Sequence, residues 1–327
     1  MAILAKVSRG DFTESIHVVF ATIVNGSGDV EYTFGDPHYF TCIRSSLKPF
    51  QAAASIKAGA VDSAGFTETE LALMCASHQG ENIHVETAKS MMKKLDYSVD
   101  KYECGAHYPA DRESRYSEIR AEKAPVTFQN NCSGKHTGML ALAKHLKVDS
   151  KGYINRNHPV QEYIFSLLKS YLNMDEIPFS VDGCSAPTPF LTLQSIASLF
   201  QKMGSGEYPE LNRAYQAMTN NPYLIAGKNQ FDTNFIAALN GRGIAKGGGE
   251  AVQGISIQRS DNENWGIALK VLDGNPRSIP IAVMHILGKY DLLTKKELKK
   301  LDRYRSKTLK NVRGTDIGKI EIMIEDN

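Results

Sequence analysis

The strand-like segments of this 327-residue chain lie near its two ends, and this placement constrains the fold more than any other feature. Residues 16–24 are apolar and β-branched, residues 25–29 form a turn cluster, and residues 30–34 alternate as in a strand, which predicts a hairpin. A second strand pair is predicted at 254–259 and 266–272, on either side of a polar turn. We therefore predict an antiparallel sheet built from the two ends of the chain.

The middle of the chain has the periodicity of helices, and one of these helices begins with a capping box in which Thr67 is followed by Glu70. No internal repeat or low-complexity linker divides the sequence. The predicted fold class is therefore α+β, in a single catalytic unit that spans the whole chain. Its sheet region is expected at about 1–45 and 240–327, and its inserted helical region at about 46–239. The helices are predicted at 51–59, 67–75, 82–95, 138–145, 158–172, 192–203 and 278–287.

The composition excludes several classes of function. The net charge of +2 does not call for a nucleic acid or an anionic membrane as partner. No apolar run approaches the roughly 18 residues of a membrane helix, and residues 1–11 lack the apolar stretch of a signal peptide. The basic segment 295–313 is interpreted as a solvated helix, with a strand or tail at 317–324. Five cysteines without close pairs indicate reduced thiols, so we expect a cytoplasmic protein.

The first candidate for catalysis is a Ser-x-x-Lys sequence formed by Ser45 and Lys48, which share one face if a helix begins near the serine. A serine hydroxyl needs a base, and a lysine whose charge is disfavoured by burial can serve as that base. The same spacing recurs at Ser90, Ser98 and Ser166, where an ordinary serine and a surface lysine are the simpler interpretation. The position of Ser45, between a strand-like segment and an Ala-rich helix, distinguishes it from the others.

Three further stretches carry reactive side chains, each with a structural alternative. Ser77 follows a predicted helix, where it could be a nucleophile or only the cap of the next helix. Cys132, His136 and Cys184 have the thiolate and imidazole groups that suit zinc, although two buried thiols in glycine-rich loops would give the same pattern. Lys246 precedes three glycines near the late strands, which indicates either a close approach to a ligand or an ordinary turn.

Together these stretches resemble the rhizobial-type, thermolabile L-asparaginase family, the asparaginase II group. The resemblance extends over roughly residues 15–290, and the joint occurrence of so many short sequences makes it specific. The matching sequences are Arg44-Ser45-Ser46-Leu47-Lys48-Pro49-Phe50-Gln51, Cys75-Ala76-Ser77-His78, Cys104-Gly105-Ala106-His107-Tyr108-Pro109, Asn131-Cys132-Ser133-Gly134-Lys135-His136, His158-Pro159-Val160-Gln161, Val181-Asp182-Gly183-Cys184, Phe231-Asp232-Thr233 and Ala245-Lys246-Gly247.

The resemblance implies a fold like that of serine β-lactamases and glutaminases, in which a helical region is inserted into an antiparallel sheet. It implies two serine–lysine pairs in one pocket, Ser45 with Lys48 and Ser77 with Lys246. It also implies L-asparagine as the substrate and a homodimeric assembly. We expect Ser45 to be the nucleophile because its lysine is one helical turn away, and Ser77 is the alternative nucleophile or a proton relay.

The resemblance further implies a zinc ion held by Cys132, Lys135 and Cys184, which orients the substrate and does not generate the nucleophile. A lysine must be neutral to coordinate a metal, so this site is expected to weaken as the pH falls. Ser185 stands where the family pattern has a glycine, a departure that concerns the backbone of the metal loop.

Three substrate-binding residues are also implied by the resemblance. Arg44 is expected to face the substrate, and His136 and Asp182 are expected to lie beside the zinc site.

The expected reaction is the hydrolysis of L-asparagine to L-aspartate and ammonia through an acyl-enzyme. A glutaminase or another serine amidohydrolase is an alternative, since one methylene changes binding by only about 1–3 kcal/mol. A penicillin-recognising enzyme would also carry Ser-Asp-Asn and Lys-Thr-Gly, and neither occurs. A zinc-dependent binding or regulatory protein is the alternative from another class. The sequence does not determine which serine attacks, the selectivity between the two amides, or the zinc occupancy.

Overall fold

The computed structural model describes residues 1–259 and 261–323, and its main feature is an eight-stranded antiparallel sheet. The strands of the structure are β1 (Ile3–Arg9), β2 (Phe12–Val24), β3 (Val30–Phe34), β4 (Phe40–Cys42), β5 (Phe179–Val181), β6 (Pro187–Thr192), β7 (Gly243–Gly248), β8 (Val252–Gln258), β9 (Asn264–Val271), β10 (Lys307–Lys310) and β11 (Asp316–Ile322). The order in the large sheet is β10-β11-β1-β2-β9-β8-β7, and β3 pairs with β2.

The two ends of the chain are joined inside this sheet. Strand β2 pairs with β9 from Val19 opposite Val271 to Val24 opposite Gly266, and β1 pairs with β11. All residues of β9 are buried, because the strand lies in the middle of the sheet and helices cover it. The predicted α+β class, with an antiparallel sheet built from both chain ends, is therefore confirmed.

The helices fill the middle of the chain and follow the late strands. They are α1 (Lys48–Lys57), α2 (Ala60–Ser63), α3 (Glu68–Met74), α4 (Asn82–Lys94), α5 (Arg112–Arg120), α6 (Ser133–His145), α7 (Pro159–Leu172), α8 (Leu193–Met203), α9 (Pro209–Asn220), α10 (Pro222–Ala226), α11 (Phe231–Leu239), α12 (Ile279–Lys289) and α13 (Lys295–Leu301). Helix α8 packs on β2, β8 and β9, which places the helical region against one face of the sheet. Within the described residues, no helix is both long and apolar enough to cross a membrane.

Most of the predicted elements are confirmed, with shifted ends. The hairpin of β2 and β3 forms, and Thr67 caps α3 in a reciprocal capping box with Glu70. Helix α6 begins five residues before the predicted start at Gly138. Strands β1, β5, β6, β7 and β10 were not predicted from the sequence. The interpretation of segment 295–313 as a solvated helix is wrong in its second half, because α13 ends at Leu301 and β10 follows at Lys307–Lys310, where it pairs with β11. Ser260, in the predicted late turn, and residues 324–327, which include the end of the predicted last strand, lie outside the described residues.

A small sheet of order β4-β6-β5 joins β4, which precedes α1, to two strands that lie between α7 and α8. Its outer strands lead directly into two candidate site segments, because Arg44 follows β4 and Asp182 follows β5. Strands β5 and β6 lie inside the region 46–239, which was predicted to be helical. The division of the chain as a single catalytic unit stays a prediction.

Candidate active site

Residues 44–47 form a short 3-10 helix, and α1 begins immediately after it at Lys48. A proline in the first turn of α1 is compatible with this start, because the first helical N–H groups have no partner within the helix. The Ser46 hydroxyl donates to the carbonyl oxygen of Lys246 at 2.8 Å and so ties this segment to β7. Lys48 is fully buried at the start of its helix and directs its amine into the protein.

Ser77 lies just after α3, and its hydroxyl contacts two buried lysines. Lys48 Nζ lies 2.9 Å and Lys246 Nζ lies 2.8 Å from Ser77 Oγ. Both amines are fully buried, whereas Ser77 itself is half-buried. Its backbone N–H donates to the carbonyl of Ile225 at 2.9 Å, which fixes the position of the serine. The structure therefore brings together three of the four predicted catalytic residues through direct hydrogen bonds.

The predicted pairing of Ser45 with Lys48 differs from the structure. Lys48 Nζ donates to the carbonyl oxygens of Ala76 and Asn131, at 2.7 and 3.0 Å, in addition to Ser77 Oγ. These three acceptors match the three donors of an ammonium group, so the long side chain turns toward them. In residues 1–259 and 261–323, no hydrogen bond joins Ser45 to either lysine. Ser45 is half-buried.

Burial determines the protonation of the two lysines. Desolvation lowers the pKa of Lys246 to about 8, although Asp232 acts in the opposite direction. Desolvation also lowers the pKa of Lys48. Two ammonium groups that share the hydroxyl of Ser77 repel each other, which further disfavours the doubly charged state. One neutral amine, able to take a proton from Ser77, is thus accessible near neutral pH.

The glycines after Lys246 allow β7 to approach the 3-10 helix closely. A Cβ atom at Gly248 would lie 2.8 Å from the carbonyl oxygen of Ile43 and 3.0 Å from the Ser46 backbone nitrogen. A Cβ at Gly249 would lie 2.7 Å from Nη1 of Arg44. Side chains at these positions would push the lysine-bearing strand away from the segment that carries Ser45, so the glycine run has a packing function.

A second cluster contains Cys132, Lys135 and Cys184. Lys135 Nζ donates to Cys184 Sγ at 2.8 Å, and all three side chains are buried. The hydrogen bond from the Cys184 thiol lowers the pKa of Cys132 well below its usual value, while the pKa of Cys184 is raised. Burial disfavours the Lys135 ammonium, but the two thiols outweigh burial and raise its pKa. The cluster therefore resembles a Cys132 thiolate that accepts from the Cys184 thiol, which in turn accepts from the protonated Lys135.

The donors of this cluster fit a zinc ion. Thiolate sulfur and an amine nitrogen are ligands that zinc accepts, and the two thiols come from separate loops that meet here. In the part of the chain that the structure describes, no three His, Cys, Asp or Glu side chains converge as a metal site, so Lys135 would have to complete the set. Because its pKa is raised, coordination would require the loss of a proton.

Arg44 and Asp182 form an ion pair at the edge of the thiol cluster. Arg44 Nε donates to Asp182 Oδ1 at 2.8 Å, and Asp182 Oδ2 lies 3.6 Å from Cys184 Sγ. Burial disfavours the Asp182 carboxylate, but Lys135 and Arg44 together lower its pKa, so it is ionised. The side chain of Arg44 is about one third exposed, at 34%. This pair offers opposite charges to the carboxylate and ammonium groups of a free amino acid.

His136 is completely buried next to the same cluster. Its Nδ1 lies 2.7 Å from the hydroxyl of Tyr153, which itself accepts the N–H of Glu103 at 3.0 Å. With the tyrosine as the donor to Nδ1, Nε2 of the neutral ring carries the hydrogen. Within the described residues Nε2 has no hydrogen-bond partner. Burial lowers the pKa of His136 well below its usual value, so this N–H remains a neutral donor.

Several contributors to the site were not identified from the sequence. Tyr153, which orients His136, lies in a segment without a recognised pattern. Asp232 appeared only within a short matching sequence and without a role, yet its carboxylate binds the backbone of β7. The histidine after Ser77, His78, is fully buried and hydrogen-bonds Ser133 at 2.9 Å. Asp232 and His78 stand inside matching sequences, which is the signal for them, whereas Tyr153 has no such signal.

Comparisons with known proteins concern the chain as a whole and not single residues of the site. A family model described as L-asparaginase II matches residues 5–322, and no curated protein sequence matches the chain significantly. A structure of Mglu in its tris and glutamate form is similar at 12% identity, with a TM-score of 0.37 over 84% of this chain and 59% of that chain. A Bacillus glutaminase structure in the presence of 4.3 M NaCl is similar at 10% identity, with a TM-score of 0.37 over 84% of this chain and 91% of that chain. The chain thus spans less than two thirds of the Mglu structure.

Proposed function

We propose that this chain, which belongs to the L-asparaginase II family, hydrolyses L-asparagine to L-aspartate and ammonia by serine–lysine chemistry. Family membership makes the chain an amidohydrolase. The observation that carries the mechanism is the position of the Ser77 hydroxyl, 2.8 Å from one buried lysine amine and 2.9 Å from another. A hydroxyl with a neutral amine in hydrogen-bond contact is the arrangement that an activated serine requires.

The proposed reaction begins when a neutral lysine takes the proton of Ser77. The serine oxygen attacks the side-chain carbonyl carbon of asparagine, and the C=O electron pair moves to the oxygen. The lysine ammonium then protonates the amide nitrogen, the C–N bond breaks, and ammonia leaves. The same amine takes a proton from water, the resulting hydroxide attacks the aspartyl ester, and the serine leaves with the proton.

The geometry favours Ser77 over Ser45 as the serine that loses its proton to a lysine. Ser77 is bound by both amines, whereas Ser45 hydrogen-bonds neither lysine within the described residues. Ser45 could still carry the acyl group if Ser77 passes its proton onward to the lysines. The two routes differ in the serine that becomes acylated, which makes them separable by experiment.

Recognition of the substrate is assigned to the charged and polar groups beside the lysines. Arg44 would bind the α-carboxylate and Asp182 the α-ammonium of asparagine, because free amino acids carry these charges. The Nε2–H of His136 would donate to a polar group of the substrate, which gives this buried donor a partner. The three roles follow from the family resemblance and are consistent with the burial and charges of the side chains.

Cys132, Lys135 and Cys184 would hold a zinc ion, which when bound supplies a fixed positive charge that orients the substrate. The proton transfers are assigned to Ser77 and its lysines instead.

A homodimer and a cytoplasmic location also belong to this proposal. Analytical ultracentrifugation would check the homodimer, and cell fractionation would check the location.

Ammonia release from L-asparagine and L-glutamine, measured side by side, tests the proposal. The wild type should release ammonia from asparagine, and Ser77→Ala should lower kcat at least about 100-fold. Ser166→Ala is a matched control, because Ser166 belongs to an exposed Ser-x-x-Lys sequence on α7. Rapid quenching and mass spectrometry should find the aspartyl adduct on Ser77; an adduct on Ser45 would make Ser77 a relay. No ammonia from either amide, with or without zinc, would instead favour a binding protein.

A further inference from the structure

Asp232, in the first turn of α11, is a buried carboxylate without an ion-pair partner among residues 1–259 and 261–323. Its side chain is 9% exposed. Oδ2 accepts the backbone N–H of Gly247 at 2.7 Å, and Oδ1 accepts the side-chain amide of Gln253 at 3.0 Å. Both partners are neutral donors, so the negative charge is not cancelled by them. A buried charge in this state is costly and calls for an explanation.

One hydrogen bond of Asp232 acts directly on β7, the strand that carries Lys246, and the other reaches Gln253 on the neighbouring β8. Strand β7 is the edge of the large sheet, so the Gly247 N–H that Asp232 binds has no further strand beside it. Lys246 Nζ in turn donates to the carbonyl oxygen of Gly247 at 2.6 Å and to Ser77 at 2.8 Å. Asp232 and Nζ of Lys246 therefore both bind the backbone of the residue that follows the lysine.

We propose that Asp232 is a positioning residue of the active site, which fixes Lys246 against Ser77 through Gly247 and supplies a buried negative charge beside that lysine. The inference rests on the proposed function, because it gives Asp232 a role in the reaction through the lysine. Among the described residues, Asp232 forms no hydrogen bond with Ser77 or with the pair of Arg44 and Asp182. Its effect is transmitted through the backbone of Gly247 and through the electric field at the amine.

The electrostatic part of this role can be separated from the other charges near Lys246. Burial lowers the pKa of the lysine, Asp232 raises it, Lys48 lowers it, and the Cys132 and Cys75 thiols raise it when ionised. Burial raises the pKa of Cys75 to about 12, so this thiol is uncharged at the pH of the reaction. Removal of the Asp232 charge is therefore expected to lower the pKa of Lys246 further.

The test is a comparison of wild type with Asp232→Asn, a substitution that keeps the shape and an acceptor oxygen but removes the charge. Lysines are labelled with ¹³C at Cε, the signal of Lys246 is assigned with Lys246→Met, and its pKa is measured by NMR titration. We expect the pKa to fall by about one unit or more in Asp232→Asn. The rising limb of kcat/KM against pH should shift by the same amount.

Gln253→Met separates charge from geometry, because it removes one hydrogen bond of Asp232 and leaves the carboxylate in place. The pKa of Lys246 should fall less in this variant than in Asp232→Asn; an equal fall would overturn the electrostatic role. An unchanged pKa of Lys246 in Asp232→Asn, in a variant with the wild-type Tm, would overturn the whole inference. The NMR titration needs no turnover, so its result tests the role of Asp232 even if asparagine is not the substrate. An absence of ammonia release would contradict the proposed function alone.

Discussion

The hydroxyl of Ser77 lies 2.8 Å from Nζ of Lys246, although the two residues are 169 positions apart in the chain. Lys48 binds the same hydroxyl from the other side. Because one serine oxygen accepts hydrogen bonds from two amines, the three side chains are expected to act as a unit. Groups that act as a unit give rate losses that do not multiply when they are removed together.

The first prediction therefore concerns the two lysines. Lys48→Met and Lys246→Met should each lower kcat at least about 100-fold. Each substitution removes one candidate base and also changes the surroundings of the remaining lysine, because both amines bind Ser77. The double variant should be little slower than the slower single variant. Steady-state ammonia release gives the four rates, and circular dichroism checks that the variants are folded. Fully multiplicative losses would mean that the lysines act independently.

The second prediction concerns pH. The proposed base is a neutral lysine, and burial lowers the pKa of Lys246 to about 8. The neutral form increases as the pH rises through this value, so kcat/KM should rise between about pH 7 and pH 9. Lys48 and Lys246 are coupled through Ser77, so the apparent pKa belongs to the pair. A profile that is flat over this range, measured with a pH-independent ammonia assay, would contradict lysine base catalysis.

The third prediction concerns the thiol cluster. Cys132→Ser and Cys184→Ser should each abolish stoichiometric zinc, measured by metal analysis after dialysis against a weak chelator. Cys42→Ser is the matched control, because Cys42 hydrogen-bonds Thr188 and lies outside the cluster. Zinc affinity of the wild type should fall as the pH falls, since Lys135 must release a proton in order to bind. Equal zinc retention in all three variants would place the metal elsewhere.

The fourth prediction concerns the loop that carries Cys184. Ser185 has a φ of 71°, in the left-handed region that favours glycine. This conformation is consistent with the glycine that the family resemblance implies at this position. Ser185→Gly should raise the free energy of unfolding by up to about 1 kcal/mol, because the relieved strain exceeds the added chain entropy. Chemical denaturation measures the change, and a loss of stability would show that the serine contributes contacts that outweigh its strain.

The fifth prediction concerns the start of α6, which carries Lys135 and His136. A Cβ at Gly134 would lie 2.1 Å from the backbone oxygen of Leu73, and a backbone atom cannot move aside cheaply. Gly134→Ala should therefore destabilise the protein by about 1–3 kcal/mol and lower its activity. Gly288→Ala is the control, because nothing lies within 4 Å of its Cβ position in α12. In thermal unfolding, the Tm of Gly134→Ala should be clearly lower than the Tm of Gly288→Ala.

Local patterns predicted the elements of the fold better than they predicted the partners within the site. The capping box at Thr67 and the hairpin of β2 and β3 depend on nearby residues, and both are present. The partner of Lys48 could not be read from spacing, because its amine turns to acceptors that come from distant loops. Asp232 has no spacing relationship to the strand that it holds. Long-range contacts of this kind are set by packing and not by periodicity.

The pairing of β2 with β9 has a consequence for the synthesis of the protein. The residues of β9 that pair with β2 follow about 250 positions later in the chain. During synthesis, the edge of β2 that pairs with β9 therefore stays unpaired until the helical region has been made. Contacts between such distant segments form slowly, and an unpaired strand edge is open to association with other chains during the wait. Lys246 arrives with these late strands, so a partly synthesised chain contains Ser77 and Lys48 without the second amine. The proposed set of one serine and two lysines is therefore complete only after the sheet has closed.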